Sequence, residues 1–256
     1  MNETVSSAPK TAVLIHGLSE ARKVWSRQET FLAQSMRVVT YDVRGFGASP
    51  VGSANGTVAQ MADDLGQILS AQNTGPAWLI GFSMGGVIAQ RFALDFPELV
   101  SGLVLIASSC TVGRAGQEFF RDRMAQVSSG GRETLAAINK QDACGCFSLG
   151  DEKLIAEYQE LRVAAVKDVE GYLNAGRAMA RLADEPMVQD LNGIDCPTLV
   201  IAGETDPYCP PRASEKIAQG IPGSELEIVP QAGHCLHWEA SDATNKLIHD
   251  FLKKHP

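Results

Sequence analysis

Two rhythms of hydrophobic positions alternate along the first half of the chain. Short, unbroken apolar runs come first: Thr11-Ala12-Val13-Leu14-Ile15, Arg37-Val38-Val39-Thr40-Tyr41, Ala77-Trp78-Leu79-Ile80 and Leu103-Val104-Leu105-Ile106. Each stops at a glycine, an aspartate or a small residue: His16-Gly17, Asp42, Gly81 and Ala107-Ser108. Runs this short, with no polar alternation, predict strands buried on both faces. Between them the apolar residues recur at helical spacing. Thr57-Val58-Ala59-Gln60 has the form of a capping box, and Val58, Met61, Leu65, Ile68 and Leu69 then share one stripe. Val87, Ile88, Phe92 and Leu94 mark a second helix that stops near Phe96-Pro97. Strands and helices in alternation require crossover connections, hence a mostly parallel sheet with helices on both faces.

The rhythm breaks from about Cys110 to Asp195. No run there reads as a strand, and Gln117 to Val127 and Lys153 to Val166 are polar and helical. After Cys196-Pro197 the strand pattern resumes in Thr198-Leu199-Val200-Ile201-Ala202 and again in Glu225-Leu226-Glu227-Ile228-Val229. A last helix runs from about Asp242 to Leu252, with Leu247, Ile248, Phe251 and Leu252 inward. The fold class is therefore α/β: a doubly wound sheet interrupted by a helical insertion, without internal repeats.

Composition narrows the function. The chain has 256 residues with 45% hydrophobic content, enough for one large core, or one core plus a small lid, and too little for two domains of ordinary size. It carries 22 basic against 30 acidic residues, a net charge of −8, which argues against nucleic acid as a partner. Lys253-Lys254 is the closest thing to a basic run and reads as a solvated helix end. The opening segment, residues 1–10, lacks the basic start and apolar stretch of a secretory signal. No window reaches the ~18 apolar residues of a membrane span, so a cytoplasmic protein without a membrane partner is expected. The sequence leaves the oligomeric state open, a homodimer included. Cys110, Cys144, Cys146, Cys196, Cys209 and Cys235 form no CxxC pair and read as reduced thiols. Cys144-Gly145-Cys146 is the one cluster suggestive of a metal, and no histidine lies near it; neither metal nor cofactor is expected.

The chemistry centres on Gly81-Phe82-Ser83-Met84-Gly85, a G-x-S-x-G pattern entered by a strand and left by a helix. That setting holds a serine hydroxyl at the top of a sheet in a strained turn. A serine hydroxyl is a poor nucleophile at neutral pH and needs a base with an orienting acid. Among five histidines, His234 sits in the loop after the last strand, where it could swing back over Ser83. His237, three residues on, is the competitor and reads better as a helix-entry residue; His249 and His255 belong to the final helix and tail, and His16 ends the first strand. Asp206 in Gly203-Glu204-Thr205-Asp206-Pro207 follows a strand, at the reactive edge of such a sheet. It falls between Ser83 and His234 in the chain; Glu204 is the alternative, with loop structure as its expected role. Two backbone N–H donors are needed for an oxyanion, expected at Met84 and at Leu18, with Gly17 permitting the turn that exposes the latter.

These pieces resemble the α/β-hydrolase family over nearly the whole chain. The resemblance is carried by VLIHGL from Val13 to Leu18, YDVRGFGAS from Tyr41 to Ser49 and GFSMGG from Gly81 to Gly86. CPTLVIAGETDPYCP from Cys196 to Pro210 and AGHCLHWE from Ala232 to Glu239 complete it. It implies Ser83, Asp206 and His234 as a catalytic triad and Leu18 with Met84 as the oxyanion hole. It further implies a structural turn at Asp42, Arg44 and Gly45, a core of residues 1–110 and 195–256, and a helical cap of residues 111–194. Members usually begin with an antiparallel hairpin; with only ten residues before Thr11, it is expected to be short or missing. Serine at the nucleophile position sets the chain apart from the family's dehalogenases and epoxide hydrolases. The elbow from Ser83 to Gln90 is similar to that of small bacterial enol-lactonases and carboxylesterases. GHCLHWE also resembles the meta-cleavage-product hydrolases, and the opening stretch the aminoacrylate hydrolases.

The expected activity is hydrolysis of a small-molecule carboxylic ester or lactone through an acyl-enzyme on Ser83. Hydrolysis of C–C, amide or carbamate bonds by the same triad is the alternative, and a non-enzymatic ligand-binding member of the fold is the contrasting class. Phe119, Phe120, Met124, Phe147, Tyr158, Tyr172 and Met179 are candidates to line an apolar pocket or to pack the insertion. Arg177 and Arg181, one helical turn apart, could bind a substrate carboxylate or form an exposed basic face.

Overall fold

In a computed structural model of the protein, which describes residues 10–149 and 151–255, the apolar runs form one sheet of six strands. The order of elements is β1 (Thr11–Ile15), α1 (Ser26–Leu32), β2 (Arg37–Thr40), α2 (Val58–Ala71), β3 (Ala77–Phe82), α3 (Met84–Asp95) and β4 (Val100–Ile106). The insertion follows as α4 (Arg114–Gly145), α5 (Glu152–Ala165) and α6 (Val169–Arg181). The chain returns through β5 (Thr198–Gly203), α7 (Pro211–Gly220), β6 (Glu225–Val229), α8 (Leu236–Glu239) and α9 (Ser241–Lys254). All neighbouring strands run parallel, in the order β2-β1-β3-β4-β5-β6.

The unbroken apolar runs have a physical reason. Successive strand residues point to opposite faces, and both faces are covered. On one face Val13, Leu79, Leu105 and Val200 pack with Leu65, Ile88 and Phe92 of α2 and α3. On the other, Leu14, Ile80, Val104 and Ile201 pack with Trp25, Trp238, Ile248 and Phe251. Every residue of β1, β3 and β5 is buried, whereas the edge strands β2 and β6 keep partial exposure. Thr57 caps α2 by accepting the N–H of Gln60, but the reciprocal half of the capping box is absent. The Gln60 side chain turns instead to Asn55 and Ser53, and the N–H of Thr57 goes to Asn55.

The insertion is helical, with a third helix, α6, where periodicity had marked two. The helix α4 is interrupted at Gly131 (φ 65°, ψ −151°), a conformation open to glycine. The start of α6 is pressed onto the loop after β2. A Cβ on Gly45 (φ +84°) would lie 2.5 Å from Gly171 Cα, and one on Gly171 would lie 2.2 Å from the Gly45 carbonyl oxygen. Gly47 N–H donates to Ala165 O (2.7 Å) and Gly56 N–H to Asn174 Oδ1 (2.7 Å) across the same seam. The Asp42 carboxylate folds the loop by accepting the N–H of Ala48 and ties it to the segment after β1 by accepting that of Arg22. No helix among the described residues is long and apolar enough to cross a membrane. The expected loss of the initial hairpin, and the reading of the opening segment as no signal, fall on residues 1–9, outside the described residues.

Candidate active site

Strand order reverses between β1 and β3, and the carboxyl ends of the strands at such a switch point open a crevice. Residues from the ends of β1, β3, β5 and β6 converge there. Ser83 follows β3 directly and is held at φ 51°, ψ −116°, a strained conformation for a residue with a side chain. Its N–H donates to Ile106 O (2.9 Å), and its carbonyl accepts from Ser108 Oγ (2.9 Å). The glycines make room for that turn. A Cβ on Gly81 would lie 2.4 Å from Gly85 O, and one on Gly85 only 2.0 Å from Ile15 O.

His234, in the loop after β6, points one ring nitrogen at Ser83: Nε2 lies 3.1 Å from Oγ. Its Nδ1 lies 2.8 Å from Asp206 Oδ2. The other carboxylate oxygen, Oδ1, accepts the N–H groups of Tyr208 (2.8 Å) and Cys209 (2.9 Å), so the loop after β5 fixes the acid. Burial opposes ionisation of Asp206, but the attraction and hydrogen bond of His234 and the two N–H groups outweigh it. Its carboxyl therefore stays below the usual carboxylate range. For His234 burial disfavours the cation, and the Asp206 carboxylate more than reverses this, raising the imidazole above an ordinary histidine. In the neutral ring, Nδ1–H donates to Asp206 and Nε2 is free to take the hydroxyl proton of Ser83.

The loop after β1 supplies the second wall. His16 is fully buried; its Nδ1–H donates to Gly17 O (2.8 Å) and its Nε2 accepts Val43 N–H (2.8 Å). The accepting Nε2 requires a neutral ring, and burial lowers its pKa to about 4. Gly17 is needed for close approach, not for a left-handed backbone: a Cβ would lie 2.9 Å from the Phe82 ring. The left-handed residue is Ser19 (φ 63°). Leu18 and Met84 both border the crevice, and Met84, as the first residue of α3, has no acceptor for its N–H within the helix.

The remaining candidates are placed elsewhere. His237 lies in α8, buried between the rings of Phe82 (4.1 Å) and Trp25 (5.2 Å), with neither nitrogen hydrogen-bonded among the described residues. Glu204 accepts the N–H of Gln231 (2.8 Å) and so braces the loop before His234. Cys144 is exposed and Cys146 buried; no group of three or more His, Cys, Asp or Glu suited to a metal occurs among the described residues.

Above Ser83 and His234 lies a cavity of about 810 Å³. Phe119, Phe120, Tyr172 and Met179 of the insertion line it, with Val87, Phe82 and Tyr208 from the sheet side. Tyr158 is instead fully buried against Phe147 (5.3 Å) and Trp238 (5.4 Å), and Met124 packs beside Gly176. Arg177 pairs with Glu170, and Arg181 borders a separate pocket with Glu185 and Asp190. Neither reaches the cavity above Ser83.

Periodicity missed a buried polar link. Glu20 is wholly inaccessible; its Oε2 accepts Gly17 N–H (2.7 Å) and its Oε1 accepts the Tyr158 hydroxyl of α5. Burial pushes the Glu20 carboxyl up, while nearby Arg162 and the Tyr158 hydrogen bond pull it back. The only signal in the sequence is a Tyr and an Arg one helical turn apart, at 158 and 162.

A model of the alpha/beta hydrolase family matches residues 12–247. The chain belongs to that family. This hydrolase is similar to a thermophilic esterase from Thermogutta terrifontis, with 29% identity, a TM-score of 0.87, and coverage of 98% of this chain and 92% of that one. It is also similar to the enol-lactonase from Burkholderia xenovorans LB400: 25% identity, TM-score 0.88, covering 98% and 94%. A relative from Yersinia enterocolitica, provisionally named carbamate hydrolase RutD, is 28% identical over 248 residues, covering 96% of this chain and 88% of the relative. The hydrolase thus has esterase-, lactonase- and hydrolase-named kin over 96–98% of its length.

Proposed function

We propose that this hydrolase cleaves small carboxylic esters or lactones through an acyl-enzyme on Ser83. The observation that carries the reading is the hydrogen-bonded chain from Ser83 Oγ through His234 to Asp206, at 3.1 and 2.8 Å, opening into the cavity. In the first half-reaction Ser83 Oγ attacks the carbonyl carbon while His234 Nε2 takes its proton. The N–H groups of Leu18 and Met84 hold the oxyanion of the tetrahedral intermediate. The imidazolium, steadied by Asp206, then protonates the departing alkoxide. A water molecule repeats the sequence on the acyl-enzyme, with His234 as base, and releases the acid. Side chains, backbone N–H groups and water carry every step.

In this reading residues 111–194 act as a cap over a core of 1–110 and 195–256, and a cavity of about 810 Å³ suits a small molecule. The esterase and lactonase names of the two structural relatives support esters and lactones as the first class. The name of the Yersinia relative supports carbamates as a second reading, in which the same triad forms a carbamoyl-enzyme. A fluorophosphonate probe should label Ser83 at neutral pH, and Ser83→Ala should abolish both labelling and turnover. A screen of p-nitrophenyl esters, lactones, aryl carbamates and vinylogous diketones separates the bond types. Failure of the probe, or full activity in Ser83→Ala, would overturn the mechanism; turnover of carbamates or diketones alone would overturn the substrate class.

A further inference from the structure

The helix α5 buries three side chains, Tyr158, Arg162 and Ala165, and one of them is a cation. Arg162 is 7% exposed, and what remains accessible borders the cavity that holds Ser83 and His234. Its guanidinium lies over the Tyr158 ring (5.8 Å), and Nη1 meets the Cys146 sulfur at 3.8 Å. No oxygen acceptor is assigned to it among the described residues, and its Nε has no partner. The two nearby carboxylates feel its charge but do not hydrogen-bond to it among the described residues. Glu20 accepts Gly17 N–H and the Tyr158 hydroxyl instead, and Asp142 pairs with Arg123 at 2.6 Å. A buried guanidinium is strongly disfavoured without acceptors for its N–H groups. The side on which Arg162 stays open to a further acceptor is the cavity. The planar fork matches a carboxylate.

The position limits what that anion belongs to. Cys146 touches the guanidinium, and its carbonyl accepts the N–H of Cys235, the residue after His234 (3.0 Å). The cation thus sits beside the loop that carries the base, and Arg162, Ser83 and His234 line one cavity. The other cations bordering the cavity, Arg212 and Lys216, are exposed to solvent, where an ion pair contributes little. We propose that Arg162 is a carboxylate anchor, and that the substrates are short esters or lactones bearing a free carboxylate, such as monoesters of small dicarboxylic acids. This rests on the reading of Ser83 given above.

The test compares matched pairs: monoethyl succinate with ethyl butyrate, and γ-butyrolactone with and without a ring carboxylate, followed by pH-stat. In the wild type kcat/KM should favour the anionic member by about tenfold or more, and succinate should inhibit competitively. Arg162→Met should bring the ratio close to one and Arg162→Lys should restore part of it. A structural arginine would lower both members together and leave the ratio unchanged, which overturns the anchor. Equal wild-type rates on both members without inhibition by succinate overturn it too, with Ser83-dependent hydrolysis intact. Loss of the preference in Arg212→Gln or Lys216→Gln, with retention in Arg162→Met, would move the site away from Arg162. No turnover of either member overturns the ester and lactone reading instead. If Arg162→Met does not fold, the wild-type ratio and succinate inhibition decide.

Discussion

Replacing Tyr158 with Phe removes one oxygen from the interior and nothing else. The ring keeps its packing against Phe147 and Trp238, so the main loss is the hydrogen bond donated to Glu20. Hydrogen bonds to charged groups contribute about 1.5–3 kcal/mol net. In a chain of this length each kcal/mol shifts Tm by about 2–4 °C, so Tyr158→Phe should melt about 3–12 °C below the wild type. The effect should extend to turnover, because the second oxygen of Glu20 holds Gly17 N–H, one residue from Leu18, the proposed oxyanion donor. Removing an oxyanion donor outright costs about 10²–10³ in kcat. Loosening the loop that carries it should cost about tenfold, with KM little changed, because the donor acts mainly on the transition state. Differential scanning calorimetry and steady-state kinetics on a p-nitrophenyl ester at pH 8 measure both. The double variant with Glu20→Gln should show a coupling of about 0.5–3 kcal/mol. A Tm within 1 °C of the wild type together with an unchanged kcat would refute the reasoning, as would strict additivity with Glu20→Gln.

Other expectations are as direct. Asp206→Asn should lower kcat by about 10⁴, the loss known for the equivalent change in a serine protease, because the amide favours the wrong imidazole tautomer; a loss under tenfold would remove Asp206 from its role. The raised pKa of His234 means that kcat/KM climbs with pH as the ring loses its proton, with a midpoint above that of a free histidine, and a flat profile from pH 5 to 8 would contradict this. For stability the sign for His16 is opposite to that for His234. His16 titrates near 4 when folded against 6.5 unfolded, so the fold binds fewer protons and loses up to roughly 3 kcal/mol as pH falls from about 6.5 to 4. His237, also depressed by burial, adds to that loss; His234, being raised, stabilises at low pH and gives this up as pH rises through its folded pKa. Urea midpoints at pH 7 and pH 4.5 that coincide would refute the His16 assignment. Gly85→Ala should prevent accumulation of folded protein, read by circular dichroism, since its Cβ would lie 2.0 Å from Ile15 O.

The sheet was legible because buried parallel strands leave a signature that nothing else in the chain imitates: apolar runs such as Val13 to Ile15 that end abruptly at glycine or aspartate. The convergence of Ser83, Asp206 and His234 was legible for a related reason, since each follows a strand and the sheet brings its carboxyl edges together. The insertion was opaque because helical spacing does not say which face turns inward. Arg177, Arg181 and Arg162 look alike in sequence, yet only Arg162 borders the cavity of Ser83. Glu20 and Tyr158 lie 138 residues apart and are both fully buried. Charged residues are read by default as solvated, so their contact leaves no trace in a hydrophobic pattern. His237 shows the converse: its place at the entry of a helix was legible, but the enclosure of a polar ring by Phe82 and Trp25 was not.

The contact between Gly45 and Gly171 bears on how such enzymes are remodelled. Two backbones meet there with no space for even a methyl group on either side. A chimaera that grafts helices from a relative onto this sheet inherits that fit or fails by it, whatever happens around the cavity. The loop after β2 and the start of α6 therefore travel together as one exchangeable cassette. The first half of α4, which carries Phe119 and Phe120 and ends at the Gly131 break, lies outside that seam. Libraries aimed at new substrates have their freedom there.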